Sequence, residues 1–400
     1  MGLVLVFGGG CYFAEPSDVR PLTLQEERAI GPLNAGLAFV PYGVAANALG
    51  DIYVVGEVDG ELDLPVLVEP LTGSSHGSRG AVVLSFDASL EYRWGVRFQS
   101  ATGEDVAHDV AVDDAGDVVV GAAAGDAFVA KLSGTSGTPR WVEVFSDGPA
   151  DSALVAVEIA PDQDIIAAGY HAGMIAFDRQ QLPSTDRQVP MVVRLGQDGR
   201  ARWTKHFLTS GPAHEFVDIR DLAVTAGGSI AFAGGKTSDA AVDFGDGVTL
   251  PEGEIFVLGL LRADGSTSWV RGHSTTTARG VSVSPDDRLE VVGTDRGDAP
   301  ARDTRYWRYD LEGAIECEAV EDLRSSFDTG RAIASSADAT FLASDVSGSA
   351  DAAALTRIGP DCEPHLEASV DNVAAGLAHD LAFDDARLLY SSTTQVWDLG

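Results

Sequence analysis

The chain is predicted to be all-β, a seven-bladed β-propeller of four-stranded blades, on three observations. One three-strand phrase recurs seven times, at roughly 45 to 65 residues per unit. A tryptophan announces a fourth strand in four of these units, and the seventh copy stops at Gly400 before any fourth strand. Glycine fills 45 of 400 positions and helix-like periodicity is scarce, as short strands joined by tight turns require.

The first strand of each unit is a short alternating run. The seven copies are Tyr42–Ala46, His108–Val112, Val155–Ile159, Arg220–Val224, Arg279–Val283, Arg331–Ser335 and His379–Phe383. Polar turns such as Asp113–Asp117 and Pro285–Arg288 follow, of the kind that closes a hairpin. Second strands begin at Ile52, Val118, Ile165, Ile230, Leu289, Thr340 and Leu388. Five of them end on glycine (Gly56, Gly121, Gly169, Gly234, Gly293), which suits a crowded strand end or a bend with positive φ. Ser344 and Ser391 take that place in the last two units. Third strands read Gly80–Phe86, Ala127–Leu132, Met191–Leu195, Ile255–Leu260, Arg305–Tyr309, Ala352–Arg357 and Thr394–Trp397. Trp94, Trp141, Trp203 and Trp269 mark fourth strands, while Cys317 and Cys362 stand at or beside that place in units five and six.

A ring leaves sheet edges open unless its first and last blades are joined. The stretch from Arg28 to Val40 is placed to supply the outer strand of blade seven and so close the ring. The one short helix candidate, Leu24–Ala29, is an alternative reading of part of that segment. One domain is expected over 24–400, with two insertions at the rim, Glu57–Arg79 and Gly235–Gly253.

Net charge is −34, which disfavours binding to nucleic acid or an anionic membrane through bulk charge. The three lysines against twenty-four arginines reflect genome composition more than function. Acidity by itself reads as solubility. The loop Asp243–Gly247 hints at calcium but lacks the spaced carboxylates of a calcium loop. Residues 1–23 read as an export leader and linker: an apolar run, small residues, then Cys11 as a candidate lipid-attachment site. The run is only Leu3–Phe7, with no Arg or Lys before it, and Gly8 stands where that pattern prefers leucine. An extracytoplasmic protein is expected, secreted or an outer-membrane lipoprotein, touching membrane only through that anchor. Cys317 and Cys362 are read as independent core cysteines replacing tryptophan. Outer strands of adjacent blades tend to lie beyond the ~7 Å Cα limit of a disulfide, which leaves a bridge as the alternative.

Units two and four carry a family likeness. Unit two runs Asp109–Gly121, Ala127–Leu132 and Trp141; unit four has Asp221–Val224, Val242–Gly245, Ile255–Val257, Asp264–Gly265 and Trp269. These resemble the SBBP-type propeller repeats of exported proteins and lipoproteins in myxobacteria and related deltaproteobacteria. The likeness covers nearly the whole chain, weakening in units five to seven. It implies a secreted or surface propeller and supplies no catalytic residues. Gly134–Trp141 is also similar to the tryptophan-docking repeats of quinoprotein dehydrogenases and of outer-membrane assembly scaffold lipoproteins, but without a vicinal cysteine pair. The tryptophan is therefore read as packing between blades, and no cofactor is expected.

No Gly-x-Ser-x-Gly, His-Glu-x-x-His, Cys-x-x-Cys or phosphate-binding glycine loop is present, and the eight histidines are scattered. No catalytic residue and no metal ligand is assigned. Superposing the repeats brings Tyr42, His108, Val155, Arg220, Arg279, Arg331 and His379 to one position, at one mouth of the channel. Tyr42, His108, Arg220, Arg279, Arg331 and His379 are thus the candidate ligand-binding residues, an anion funnel of guanidinium forks. The competing reading has Asp109, Asp221 and Asp380 consume the arginines in ion pairs between blades, since alternation turns neighbours to opposite faces. The expected function is a non-catalytic, monomeric binding or scaffold propeller for a protein or anionic glycan. The alternative is a hydrolase or lyase acting on an acidic polysaccharide through the same mouth.

Overall fold

A computed structural model describes residues 2–8, 23–29, 38–59, 66–68, 79–89, 91–98, 105–124, 126–145, 151–177, 180–210, 217–236, 241–274, 276–295, 303–321, 327–336, 339–347, 352–370, 378–384 and 387–393. Every element among the described residues is a strand. Seven antiparallel sheets follow one another along the chain, and we number them in the order of their first strands. Sheet 1 comprises Ala38–Ala46, Ile52–Asp59, Arg79–Phe86 and Tyr92–Phe98, with Val66–Val68 added in parallel at its edge. Sheet 2 runs Asp105–Val112, Val118–Ala124, Asp126–Leu132 and Pro139–Phe145. Sheets 3 to 6 repeat the pattern from first strands Asp151–Ile159, Val217–Val224, Thr276–Val283 and Phe327–Ser335.

Each first strand packs against the first strand of the next sheet, and that of the last sheet, Ala378–Asp384, packs against Ala38–Ala46. The order is circular. Between sheets lie separate apolar layers: Tyr53, Val83 and Phe128 between sheets 1 and 2, Phe207, Phe232 and Phe244 between sheets 3 and 4, Phe256, Val291 and Trp307 between sheets 4 and 5. Such layers explain why strands buried on both faces read as near-continuous Val and Ala runs. Phe244 belongs to the second insertion, whose strands Ala241–Asp243 and Thr249–Leu250 form a three-stranded sheet with Leu208–Ser210.

Sheet 7 differs from expectation. Its strands are Ala378–Asp384, Arg387–Thr393, Gly2–Gly8 and Thr23–Ala29, in that order. The N-terminal segment thus contributes two strands rather than the single outer strand expected between 28 and 40. Gly2–Gly8 takes the third place that had been assigned to Thr394–Trp397, which lies outside the described residues. The helix candidate Leu24–Ala29 falls in a strand.

The first strands also begin earlier than the sequence suggested, and the mouth positions fall inside them. In all seven the register slips by one residue at the same place: Pro41/Gly43, Ala107/Asp109, Leu154/Ala156, Ile219/Asp221, Ala278/Gly280, Gly330/Ala332 and Ala378/Asp380. The skipped residues are Tyr42, His108, Val155, Arg220, Arg279, Arg331 and His379. Each is the extra residue of a β-bulge. The second-strand glycines answer this bulge. A Cβ at Gly169 would lie 1.9 Å from the carbonyl oxygen of Ala153, and at Gly234 2.0 Å from that of Asp218. Gly56 and Gly293 are pressed in the same way, by the carbonyl oxygens of Val40 (2.0 Å) and Thr277 (2.4 Å). Close backbone approach, not positive φ, is therefore why these four are glycine; at Gly121 a Cβ would meet nothing closer than 3.6 Å. In sheet 6 the roles reverse: Ser344 faces Gly330.

Tryptophan joins one sheet to the next. Trp94 Nε1 donates to Gly134 O (2.9 Å), Trp141 to Gln197 O (2.9 Å), Trp203 to Ala263 O (3.1 Å) and Trp269 to Leu311 O (2.8 Å). Each ring lies over a left-handed glycine in that turn, Gly137, Gly199, Gly265 and Gly313 respectively. At the fifth junction Cys317 stands where the tryptophan would, opposite Arg308, and Cys362 occupies the glycine's place with φ 65°. They form a disulfide with Cα atoms 6.4 Å apart. This corrects the expectation of two independent cysteines. Cys362 replaces the turn glycine rather than a tryptophan, so the two residues sit on partner surfaces instead of on equivalent strands.

Candidate functional site

Six of the seven bulged residues can be followed as side chains, and five of the predicted ligands converge. Tyr42, His108, Arg220, Arg279 and Arg331 line one cavity of about 420 Å³, together with Val155, Asp109, Asp218, Ile219, Asp221, Ala332 and Tyr170. His379 lies at the bulge of Ala378–Asp384, but its side chain is outside the described residues, and so is Cys11. Tyr170 was not anticipated. It comes from the second strand of sheet 3, where no repeat position flagged it.

The bulge changes the chemistry of the mouth. In a regular strand His108 and Asp109, or Arg220 and Asp221, would face opposite ways. Here both members of each pair line the cavity. Nor do the aspartates pair with arginines across sheets. Asp109 accepts from the backbone N–H of Val110 (2.7 Å) and from that of Val157 in the next sheet (2.7 Å). Asp221 accepts likewise from Leu222 (2.8 Å) and from Val281 in the next sheet (2.7 Å). Two carboxyl groups thus stitch neighbouring first strands together and form the floor of the cavity. The same two residues also line a second cavity of about 620 Å³ behind them, with Glu158 and Asp114.

The arginine pairs run within sheets instead. Arg220 Nε donates to Asp218 (2.6 Å) and Arg331 Nε to Asp345 (2.5 Å). Each contact uses the inner nitrogen of the guanidinium and leaves the outer fork unclaimed by that carboxylate. Arg220 Nη1 is buried without a hydrogen-bond partner. Charge and shape divide the mouth in two. Sheets 4, 5 and 6 present arginines side by side, whereas sheets 1 to 3 present Tyr42, His108 and Tyr170. The Tyr42 and His108 rings lie 5.9 Å apart at 52°.

Burial lowers the His108 pKa to about 4, so the imidazole is neutral at pH 7. Burial raises Asp109 to about 6 against an ordinary 3.8, and its two backbone donors only partly offset this. Asp221 is pushed well up by burial and further by repulsion from Asp109. A carboxyl whose folded pKa is raised contributes stability below its unfolded pKa and loses it as pH rises through the folded value. The stability advantage of the parent over Asp109→Asn should therefore widen on going from pH 7 to pH 4, by on the order of 1–3 kcal/mol. His108 opposes this in both proteins and cancels from the difference. Urea unfolding of the pair across that range reads it out; a constant gap would mean Asp109 titrates as in water.

The loop Asp243–Gly247 is tied by lysine. Asp246 Oδ2 accepts from Lys205 Nζ (3.0 Å) and Thr267 N (2.8 Å), and Asp243 caps Gly245 N (2.8 Å).

No family model matches the sequence, and no curated protein matches it. Solved structures do match the fold. An ulvan lyase bound to -[GlcA(1-4)Rha3S]- superposes with TM-score 0.52 at 8% identity, over 90% of this chain and 93% of that chain. This chain is built as a β-propeller. The Dos1 propeller gives TM-score 0.47 at 8% identity, again over 90% and 93% of the two chains. BamB from Moraxella catarrhalis gives 0.40 at 14% identity, over 86% and 97%. At such identities the likeness concerns architecture alone; propellers host unrelated activities.

Proposed function

We propose that the protein is a seven-bladed propeller, fastened by its N-terminal strands, that binds an anionic group at the bulge-lined channel mouth. The observation that supports this most is the gathering of three arginines from consecutive blades in one cavity, two of them oriented through Nε by their own aspartates. Guanidinium groups held this way present a preorganised fork to carboxylate, sulfate or phosphate, and a concave mouth strengthens their field. The ligand is a glycan or protein outside the cytoplasm. The Cys317–Cys362 disulfide supports an oxidising compartment, as does the resemblance to exported repeat proteins.

The test is thermal unfolding with uronates, sulfated sugars and phosphate esters, on the parent and on a variant with Arg220, Arg279 and Arg331 changed to Gln. Ligand at a hundredfold excess over its Kd should add about 2.7 kcal/mol to the parent and nothing to a folded variant. Equal shifts in both proteins would move the site to the rim.

Catalysis on an acidic polysaccharide is the second reading, favoured by one observation. A neutral imidazole and a tyrosine lie side by side beside the arginines, as proton transfer next to a neutralised carboxylate requires. Release of new chain ends from polyuronate by the parent, and not by His108→Gln, would establish it over simple binding.

A further inference from the structure

The mouth is a well, not a groove. Six of the seven blades contribute its described lining, and the two stitched carboxyl groups of Asp109 and Asp221 constrict its floor. A polymer lying across a surface needs a trough open at two sides, whereas a well ringed by strands admits one end of a chain. Threading onward is opposed by charge. The cavity behind the floor adds Glu158 and Asp114 to the same two carboxyls, and no Lys or Arg lines it among the described residues. A second acidic unit pushed through would meet like charge.

Inside the well the two halves ask for different chemistry. The arginines of blades 4 to 6 take an anion. Tyr42, His108 and Tyr170 opposite them offer ring faces and edges, which suit the apolar face of a pyranose. The floor carboxyls are acceptors when ionised and donors or acceptors when protonated, a match for hydroxyl groups. An acidic peptide end would set several carboxylates against that floor; a sugar sets one anion and several hydroxyls. We infer that the well takes the terminal residue of an acidic sugar chain end-on, its anion towards Arg220, Arg279 and Arg331 and its ring against Tyr42, His108 and Tyr170. This rests on the anion-binding reading of the mouth.

End recognition predicts an affinity counted per chain end. Oligouronides of galacturonate, mannuronate and glucuronate, from two to twelve units, are titrated into the intact protein by calorimetry, with inorganic sulfate and hexaglutamate in parallel. For the uronide that binds, Kd per chain should stay within about twofold across the series, with one chain per protein. Blocking one terminus, by reduction at the reducing end or methylation at the other, should abolish binding for one of the two. The Arg220/Arg279/Arg331→Gln variant should weaken it at least about tenfold, as loss of charged hydrogen bonds implies. If that variant does not fold, Arg279→Gln alone replaces it and leaves the Asp218 and Asp345 pairs intact.

Arginine-dependent binding that strengthens steadily with chain length, or survives blocking of both ends, overturns the end-on inference and leaves the anion site standing. Hexaglutamate binding as tightly as the best uronide overturns it in favour of a protein tail. Sulfate matching the uronides shows that the ring half contributes nothing and overturns it too. If no anion of any kind binds in an arginine-dependent way, the reading of the mouth itself fails.

Discussion

Deleting residues 1–29 is expected to abolish cooperative unfolding of the domain. Of its described strands sheet 7 then keeps Ala378–Asp384 and Arg387–Thr393, and a two-stranded hairpin is marginal in water. The loss reaches further than one sheet. Both neighbours of sheet 7 pack on its first strand, so the circle opens and the faces of sheets 1 and 6 that pack there meet solvent. With a whole domain worth ~5–15 kcal/mol, an opened ring should melt early and bind hydrophobic dyes, and a peptide of residues 1–29 added in trans should restore the midpoint. The same experiment decides how the N-terminus is used. Lipoprotein processing ahead of Cys11 would remove Gly2–Gly8, the strand that pairs with Arg387–Thr393. A truncated protein melting at the parent's temperature, unaffected by the peptide, would favour the leader reading and show that the ring closes by other means.

Such closure was visible in the sequence only as a deficit. Seven phrases and a missing last strand implied that the N-terminus must return, and the repeats placed nearly every first, second and third strand of units one to six. What could not be read was which N-terminal residues return. Leu3–Phe7 is a short apolar run that a leader and an inner strand of a blade both require, and Leu24–Ala29 is a polar stretch without a decisive period. Periodicity speaks to the local element and is silent about the sheet it joins.

At the mouth the sequence did better on identity than on geometry. Superposition of the repeats found Tyr42, His108, Arg220, Arg279 and Arg331, because a ring repeats its positions as faithfully as its strands. It placed them at strand starts and assumed plain alternation, so Asp109 and Asp221 were turned away from the channel and offered as partners for arginines. A bulge in every blade reversed that: each aspartate lines the cavity and binds the backbone of the next blade. A signal was present, for the glycine that recurs on five of the seven second strands faces the slip. Asp218 and Asp345 carried none, since an acid two residues before an arginine, or one on a neighbouring strand, is common in a chain this acidic. Tyr170 belongs to no repeated position and needed coordinates.

Reduction of Cys317–Cys362 should cost about 4 kcal/mol, taking the 45-residue separation as the loop released in the unfolded chain. Chain entropy is only half the matter. The bridge occupies the junction at which four other blade pairs use tryptophan over a left-handed glycine, and Cys362 holds that backbone at φ 65°, which a side chain resists. Cys362→Gly alone therefore loses the covalent tie but relieves the backbone, whereas Cys317→Ala loses the tie and keeps the strain; the second should melt lower. Combining Cys317→Trp with Cys362→Gly rebuilds the clasp of the other junctions, with the indole N–H placed to donate to Pro360 O, the counterpart of Leu311 O beside Trp269. That double variant should recover stability over either single change and lose its sensitivity to dithiothreitol. Recovery would show that the disulfide and the tryptophan clasp are interchangeable solutions to one packing problem. A double variant less stable than Cys317→Ala would mean the fifth junction is too narrow for an indole, and that the cysteines mark a blade pair packed on different terms from the rest.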